Sequence, residues 1–242
     1  MESGVKEHVD ALLRSHAELL IVFAGDSHTW GQGADGWREA LKPCFVAGEW
    51  RRLPVCIPSF AQLFHDYLKK LRPAPKNTYA INSGYGCAST KIYLRDYWFH
   101  AVEVYRPDIV VLEFAINDWI ASNDVSVQEF GENLNVMISR CLEIGSAPIL
   151  LTVSPINGSQ WSGNNLYQDY INCIYSVAKD RPEAILADAH ALMKHHLSQG
   201  GSLFYDDWHV NQKGQELYCQ ALAMAVNGSS VSTELLGKDA DA

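Results

Sequence analysis

Residues able to carry out acyl transfer stand in separate short stretches of this chain. Ser27 follows Gly25-Asp26 at the end of the apolar run Leu19-Leu20-Ile21-Val22-Phe23-Ala24. A serine placed there is held at the rim of a sheet, beside a glycine that permits a tight turn. Its hydroxyl is a weak nucleophile until a base takes the proton. His209 can be that base, because imidazole titrates close to neutral pH. Asp206 lies three residues earlier and can reach the ring from a turn, holding its tautomer and stabilising the imidazolium. The tetrahedral intermediate carries an oxyanion, which needs preorganised N–H donors. Candidates are the Ser27 amide, the Asn117 carboxamide, and an amide of the turn Gly84-Tyr85-Gly86-Cys87.

Each residue also has a plainer role open to it. Gly25-Asp26-Ser27 is ordinary turn chemistry. Asn117-Asp118 could cap a following helix. Asp206 and Asp207 could be turn residues, and His209 a surface histidine. Taken together the plain roles are poor, because separate positions supply complementary parts of one reaction.

The elements that must position these residues are legible as an alternation. Apolar, β-rich runs at Leu19–Ala24, Tyr79–Asn82, Asp108–Ala115, Pro148–Val153 and Ala184–Ala187 read as strands. Helical patterns fall near 6–18, 59–71, 90–105, 125–144, 166–181 and 212–226. Buried strands separated by amphipathic helices predict a three-layer α/β/α sandwich around a parallel sheet of about five strands. In such sheets ligands bind beyond the carboxyl ends of the strands, where Ser27, the glycine turn and Asn117 fall. The 242 residues are read as one domain, with 227–242 as a frayed tail.

Residues 31–58 interrupt the alternation. A connection of this length exceeds the usual ~2–6 residues. It carries Trp37, Trp50, Arg38, Arg51 and Arg52, and follows directly on Trp30. It is expected to be an inserted loop forming a wall or lid of the site; a packed surface excursion is the alternative. Asp26, His28, Trp30 and Trp208 are expected to line the substrate pocket.

Composition narrows the partners. The net charge of −9 and the lack of a basic cluster disfavour nucleic acid. No apolar stretch approaches the ~20 residues of a membrane span. The charged N-terminus does not read as a secretory signal, and a cytoplasmic location is expected. Six cysteines are scattered without a zinc or redox spacing. Cys44 and Cys56 could form a bridge, although reduced thiols are the simpler expectation.

Four blocks, in order and spacing, resemble those of the SGNH (GDSL-type) hydrolases: Gly25-Asp26-Ser27, Asn82–Thr90, Ala115-Ile116-Asn117-Asp118 and Asp206-Asp207-Trp208-His209. The flanks Leu203-Phe204-Tyr205 and Val210-Asn211-Gln212-Lys213-Gly214 are also similar, and the likeness covers roughly residues 19–226. It implies Ser27 as nucleophile, with its amide in the oxyanion hole, and Asn117 as a further donor. It also implies Asp206 and His209 as the other triad members, and small acyl esters, including O-acetyl groups on sugars, as substrates. No cofactor or metal is expected. Two positions depart from the pattern. Ala115 stands where glycine usually begins the third block, and Cys87 where the second block places its oxyanion glycine. Whether Gly86 or Cys87 donates stays open.

Other functions compete with ester hydrolysis. An acyltransferase would use the same residues with an acceptor that outcompetes water. A binding protein could keep the fold without activity. Asp26-x-His28 resembles the opening of a two-metal phosphoesterase, but the further ligands are missing, and Asp188, His190, His195 and His196 read as a helix face.

Overall fold

A computed structural model of the chain describes residues 3–15, 17–46, 49–54, 57–72, 77–120, 123–157 and 166–227; side chains of 39–54 fall outside that description. Helix α1 (Ser3–Arg14) leads into strand β1 (Leu19–Gly25) and a single-turn helix α2 (Ser27–Trp30). A short helix α3 (Trp37–Ala40) precedes strands β2 (Leu41–Val46) and β3 (Glu49–Pro54). Helix α4 (Phe60–Leu71) and strand β4 (Thr78–Gly84) follow.

Next come α5 (Thr90–Ile92), a π-turn at Tyr93–Tyr97, α6 (Trp98–Ala101) and a 3-10 turn at Glu103–Tyr105. Strand β5 (Ile109–Glu113) is followed by α7 (Ile116–Trp119) and α8 (Val127–Glu143). Strand β6 (Ala147–Leu151), helix α9 (Leu166–Asp180), strand β7 (Ile185–Ala187), α10 (Ala189–Ser198) and α11 (Gln212–Asn227) complete the order.

The main sheet is parallel, in the order β4-β1-β5-β6-β7. Side chains along β1 alternate between its faces. Leu19, Ile21 and Phe23 pack with Phe60 and Phe64 of α4 and Tyr218 and Leu222 of α11. Val22 and Ala24 pack with Phe130 and Leu134 of α8 and Ile171 and Ile174 of α9. Truncating a core ring such as Phe64 to alanine in packing of this kind costs ~3–5 kcal/mol. The result is the three-layer α/β/α sandwich expected from the alternation.

Local capping explains where the helices begin. Ser59 accepts from the Gln62 amide ahead of α4, and Ser126 from the Glu129 amide ahead of α8. Ser126-x-x-Glu129 is the pairing that marks a helix start in sequence.

Two elements differ from expectation. Residues 31–58 hold more structure than a loop, since β2 and β3 pair antiparallel as a separate two-stranded sheet. The single helix expected over 90–105 is interrupted by the π-turn. That widening admits one extra residue. The Tyr93 hydroxyl then donates to the Ser83 carbonyl at 2.8 Å, while Tyr97 stacks on Tyr85 with centroids 4.1 Å apart. The postulated Cys44–Cys56 pair and the tail beyond Asn227 lie outside the described residues and side chains. Among the described residues no helix is long and apolar enough to cross a membrane.

Candidate active site

Strand β1 has its first two neighbours in chain order on opposite sides, β4 on one and β5 on the other. This is the switch point at which α/β sheets open a crevice. The register brings the three strand ends level, because Gly25 pairs with Gly84 on one side and Glu113 on the other. Neither glycine leaves room for a side chain. A Cβ on Gly25 would stand 2.0 Å from Thr29 Oγ1, and one on Gly84 would stand 2.3 Å from the Trp30 amide nitrogen. Both are close approaches of backbone that any larger residue would push apart.

Asp26 turns inward to cap α2, accepting from the His28 amide at 2.9 Å. Ser27 is thereby left at the start of the helix, 7% exposed. Its Oγ lies 2.9 Å from His209 Nε2. His209 comes from the turn between Leu203 and Asn211, closed by the Phe204–Val210 bridge and by Asn211 N–H donating to the Leu203 carbonyl. The Asp206 carboxylate accepts from the amides of Trp208 at 2.9 Å and His209 at 2.7 Å. Both its oxygens lie 2.9 Å from His209 Nδ1. The expected serine, histidine and aspartate therefore stand in hydrogen-bonded series.

Burial tends to raise the Asp206 pKa, but the hydrogen bonds from His209 and Trp208 outweigh it and leave the carboxyl below its ordinary range. His209 is lowered from its ordinary value, first by burial and then by the positive charge of His28. A neutral ring beside a serine hydroxyl is the state a general base needs.

Asn117 sits at the start of α7, directly after β5, and donates through Nδ2 to Asp26 Oδ2 at 2.7 Å. A carboxamide nitrogen carries two hydrogens, so one remains to point elsewhere. In the glycine turn, the Tyr85 amide donates to the Gly25 carbonyl and the Ala88 amide to Tyr85. Among the described residues, the amides of Ser27, Gly86 and Cys87 donate to no partner. Cys87 adopts φ 64, in the left-handed region, and its side chain is exposed. The backbone therefore takes the glycine conformation at this position although the residue is cysteine.

The pocket-lining expectation divides. Trp30 and Trp208 are partly exposed, Trp30 against Trp37 at 4.8 Å and Trp208 against Trp119 at 6.0 Å. Asp26 and His28 are instead fully buried, and this corrects their placement on the pocket wall. Sequence distance from Ser27 is short, but both side chains turn beneath it: Asp26 to cap α2, and His28 toward the carbonyl of Trp208.

The start of 31–58 does abut the site. A Cβ on Gly33 would stand 2.2 Å from the Val210 carbonyl, and the Arg38 guanidinium lies 5.8 Å from the Tyr205 ring centre. Gln212 ties both stems of the segment, accepting from the Asp35 amide and donating to the Pro58 carbonyl at 3.1 Å each.

Other contributors were not apparent from sequence. Glu113 ends β5 fully buried and accepts from the Thr29 hydroxyl at 2.8 Å. Burial, and then the charge of Asp26, raise its pKa well above the carboxylate range. Asp118 accepts from the Thr90 amide at 2.9 Å and hydroxyl at 2.5 Å, joining α7 to the end of the glycine turn. Burial raises its pKa to about 7. The hint available was an acidic residue at the end of an apolar strand and another beside Asn117.

Asp26, His28 and Glu113 form the one group among the described residues whose donor atoms are close enough to hold a metal. Both ring nitrogens of His28 already face oxygen partners, Nδ1 toward Asp26 and Nε2 toward the Trp208 carbonyl, while Glu113 Oε1 is buried without a hydrogen-bond partner. The histidines of the 188–196 stretch are not one face: Asp188 caps α10, and His190 is buried with Nδ1 3.0 Å from the Val153 carbonyl. His195 and His196 lie in the last turn.

The model of the GDSL-like lipase/acylhydrolase family matches residues 23–217. No curated protein matches by sequence. The fold is similar to LAE5, an alpha/beta hydrolase enzyme from the metagenome of Lake Arreo, Spain. The TM-score is 0.69 and the identity 20%, over 90% of this chain and 99% of that one. It is also similar to Axe2, an acetylxylan esterase from Geobacillus stearothermophilus. That likeness has a TM-score of 0.68 and 16% identity over 90% of this chain and 100% of that one.

Proposed function

The chain belongs to the GDSL-like lipase/acylhydrolase family, and from that premise we propose that Ser27, His209 and Asp206 hydrolyse a small acyl ester through an acyl-enzyme. The observation that carries this reading is the 2.9 Å approach of Ser27 Oγ to His209 Nε2, with Asp206 across the ring. Ser27 Oγ attacks the ester carbonyl while His209 takes its proton. The carbonyl oxygen becomes an oxyanion. The Ser27 amide, the free Asn117 N–H and the Gly86 and Cys87 amides are the donors available to it. His209 returns the proton to the leaving alcohol. A water, deprotonated by the same ring, then releases the acid and restores Ser27.

The substrate class within this activity is an O-acetyl ester of a carbohydrate. The support is twofold: Axe2, which shares the fold, is an acetylxylan esterase; and Trp30 and Trp208 offer partly exposed rings of the kind that pack against apolar ligand faces. A net charge of −9 does not favour a nucleic-acid partner.

The test is labelling with a fluorophosphonate probe, in the presence and absence of a chelator, on wild type and Ser27→Ala. Chelator-insensitive labelling that disappears in the variant is expected. A folded wild type that neither labels nor turns over any aryl ester would overturn the assignment. Acetyl, butyryl and octanoyl aryl esters, then acetylated xylo-oligosaccharides, rank the acyl and alcohol preferences.

A further inference from the structure

His28 is fully buried one residue after Ser27, and neither of its ring nitrogens faces water. Nε2 lies 2.9 Å from the Trp208 carbonyl oxygen, and Nδ1 lies 3.3 Å from Asp26 Oδ1. A carbonyl oxygen can only accept, and so can an ionised carboxylate. A nitrogen without a hydrogen would set its lone pair against one of these oxygens, so donation to both neighbours puts a hydrogen on each nitrogen and makes the ring an imidazolium. A buried charge is tolerated only when paired. Here Asp26 supplies the counter-charge and is itself held by the His28 amide and Asn117 Nδ2. The His28 ring centre is 5.3 Å from that of His209, and Trp208 is the residue just before His209.

We propose that His28 is a positioning residue for His209: as a buried imidazolium it clamps the Trp208 carbonyl and presents its positive charge to the ring of the base. The inference rests on the reading of His209 as the general base. The clamp fixes the turn that carries His209 at the residue next to it, so the Ser27–His209 distance is set from beneath as well as by Asp206. The charge acts on the proton equilibrium of the base, because a like charge nearby disfavours the protonated ring.

Asp26 faces His28 from its own turn, Glu113 from the end of β5, His209 from the 203–211 turn, and Tyr218 from α11 with its ring centre 6.3 Å away. Asp206 faces His209 from the far side. Burial works against the charge on His28, but Asp26 and then Glu113 outweigh it and raise its pKa to about 9.

Two measurements test the proposal. In wild-type protein carrying 15N-labelled histidine, NMR at pH 7.5 is expected to show both His28 nitrogens protonated, assigned by loss of the signal in His28→Gln. A neutral tautomer at that pH overturns the proposal. Gln can still donate to the Trp208 carbonyl but carries no charge. His28→Gln is therefore expected to move the acid limb of kcat/KM upward by about one pH unit, with KM little changed. An unmoved acid limb in folded His28→Gln overturns the electrostatic role. The NMR state is read without turnover. Failure of the esterase assignment would instead appear as absence of ester turnover in folded wild type, and failure of the base assignment as undiminished activity in His209→Ala.

Discussion

The Asn117 carboxamide donates to the Asp26 carboxylate at 2.7 Å, so the segment after β5 is fastened to the segment after β1 at the residue just before Ser27. Asn117 therefore has two consequences when removed. Asn117→Ala is expected to lower kcat by ~100- to 1000-fold through loss of an oxyanion donor. It should also lower stability by ~1–3 kcal/mol, because a buried carboxylate oxygen loses its partner. Steady-state kinetics and denaturant unfolding separate the two; unchanged kcat would remove Asn117 from the oxyanion site.

Asp206→Asn tests the far side of the base. The amide can donate to His209 Nδ1 and so favours the wrong tautomer. A drop in kcat of ~10,000-fold is expected with the fold intact, as replacement of a triad aspartate brings elsewhere. Circular dichroism and turnover on the same sample check this, and a loss under tenfold would sink the triad role.

Both burial and the charge of His28 lower the pKa of His209 from its ordinary value. A base works when unprotonated, so a lowered pKa extends activity to more acid conditions. The acid limb of kcat/KM is expected to have its midpoint below the ordinary histidine value of ~6.5. A midpoint above that value contradicts the assignment. Asp206, held low, stays ionised across this range.

Cys87 tests the departure from the family pattern. A non-glycine residue in the left-handed region is disfavoured by ~1–2 kcal/mol per residue. Cys87→Gly is therefore expected to keep turnover and, since glycine also gains freedom when unfolded, to raise stability by no more than ~1 kcal/mol. Cys87→Val, with a branched side chain at φ 64, should be less stable than wild type. Thermal unfolding ranks the three, and a wild type more stable than Cys87→Gly would reverse the argument.

Glu113 makes stability depend on pH. Its folded pKa is raised, so the folded chain keeps a proton that the unfolded chain sheds. Stability must fall as pH climbs from the ordinary carboxylate range, ~4.3, toward the raised folded value. Glu113→Gln removes that slope. Urea unfolding at pH 5 and pH 8 should show a smaller difference between the two pH values in the variant than in wild type.

Much of this architecture is local and so was legible. An apolar run ending in Gly25-Asp26-Ser27 marks its own strand and rim, and Asp206-x-x-His209 fits within one turn. What stayed hidden depends on neighbours far away in the chain. Nothing near Glu113 in the chain reveals that Gly25 pairs with it and that Thr29 donates to it. Chain distance placed Asp26 and His28 beside Ser27, but direction came from capping α2 and from the Trp208 carbonyl. The π-turn answers to Tyr85 and Ser83, which the helical periodicity of 90–105 does not contain. The β2–β3 pairing is hard to see in sequence, because Pro43 and Pro54 interrupt its strand runs.

Gln212 holds both stems of the 31–58 segment with one side chain, at the first residue of α11 and three positions past His209. The turn that carries His209 and the roots of the inserted segment thus share a foundation, while the stretch between the roots has its own two-stranded pairing. A segment rooted at both ends by one side chain can change in length between those roots at little entropic cost, so insertions there would leave the Ser27–His209 spacing undisturbed.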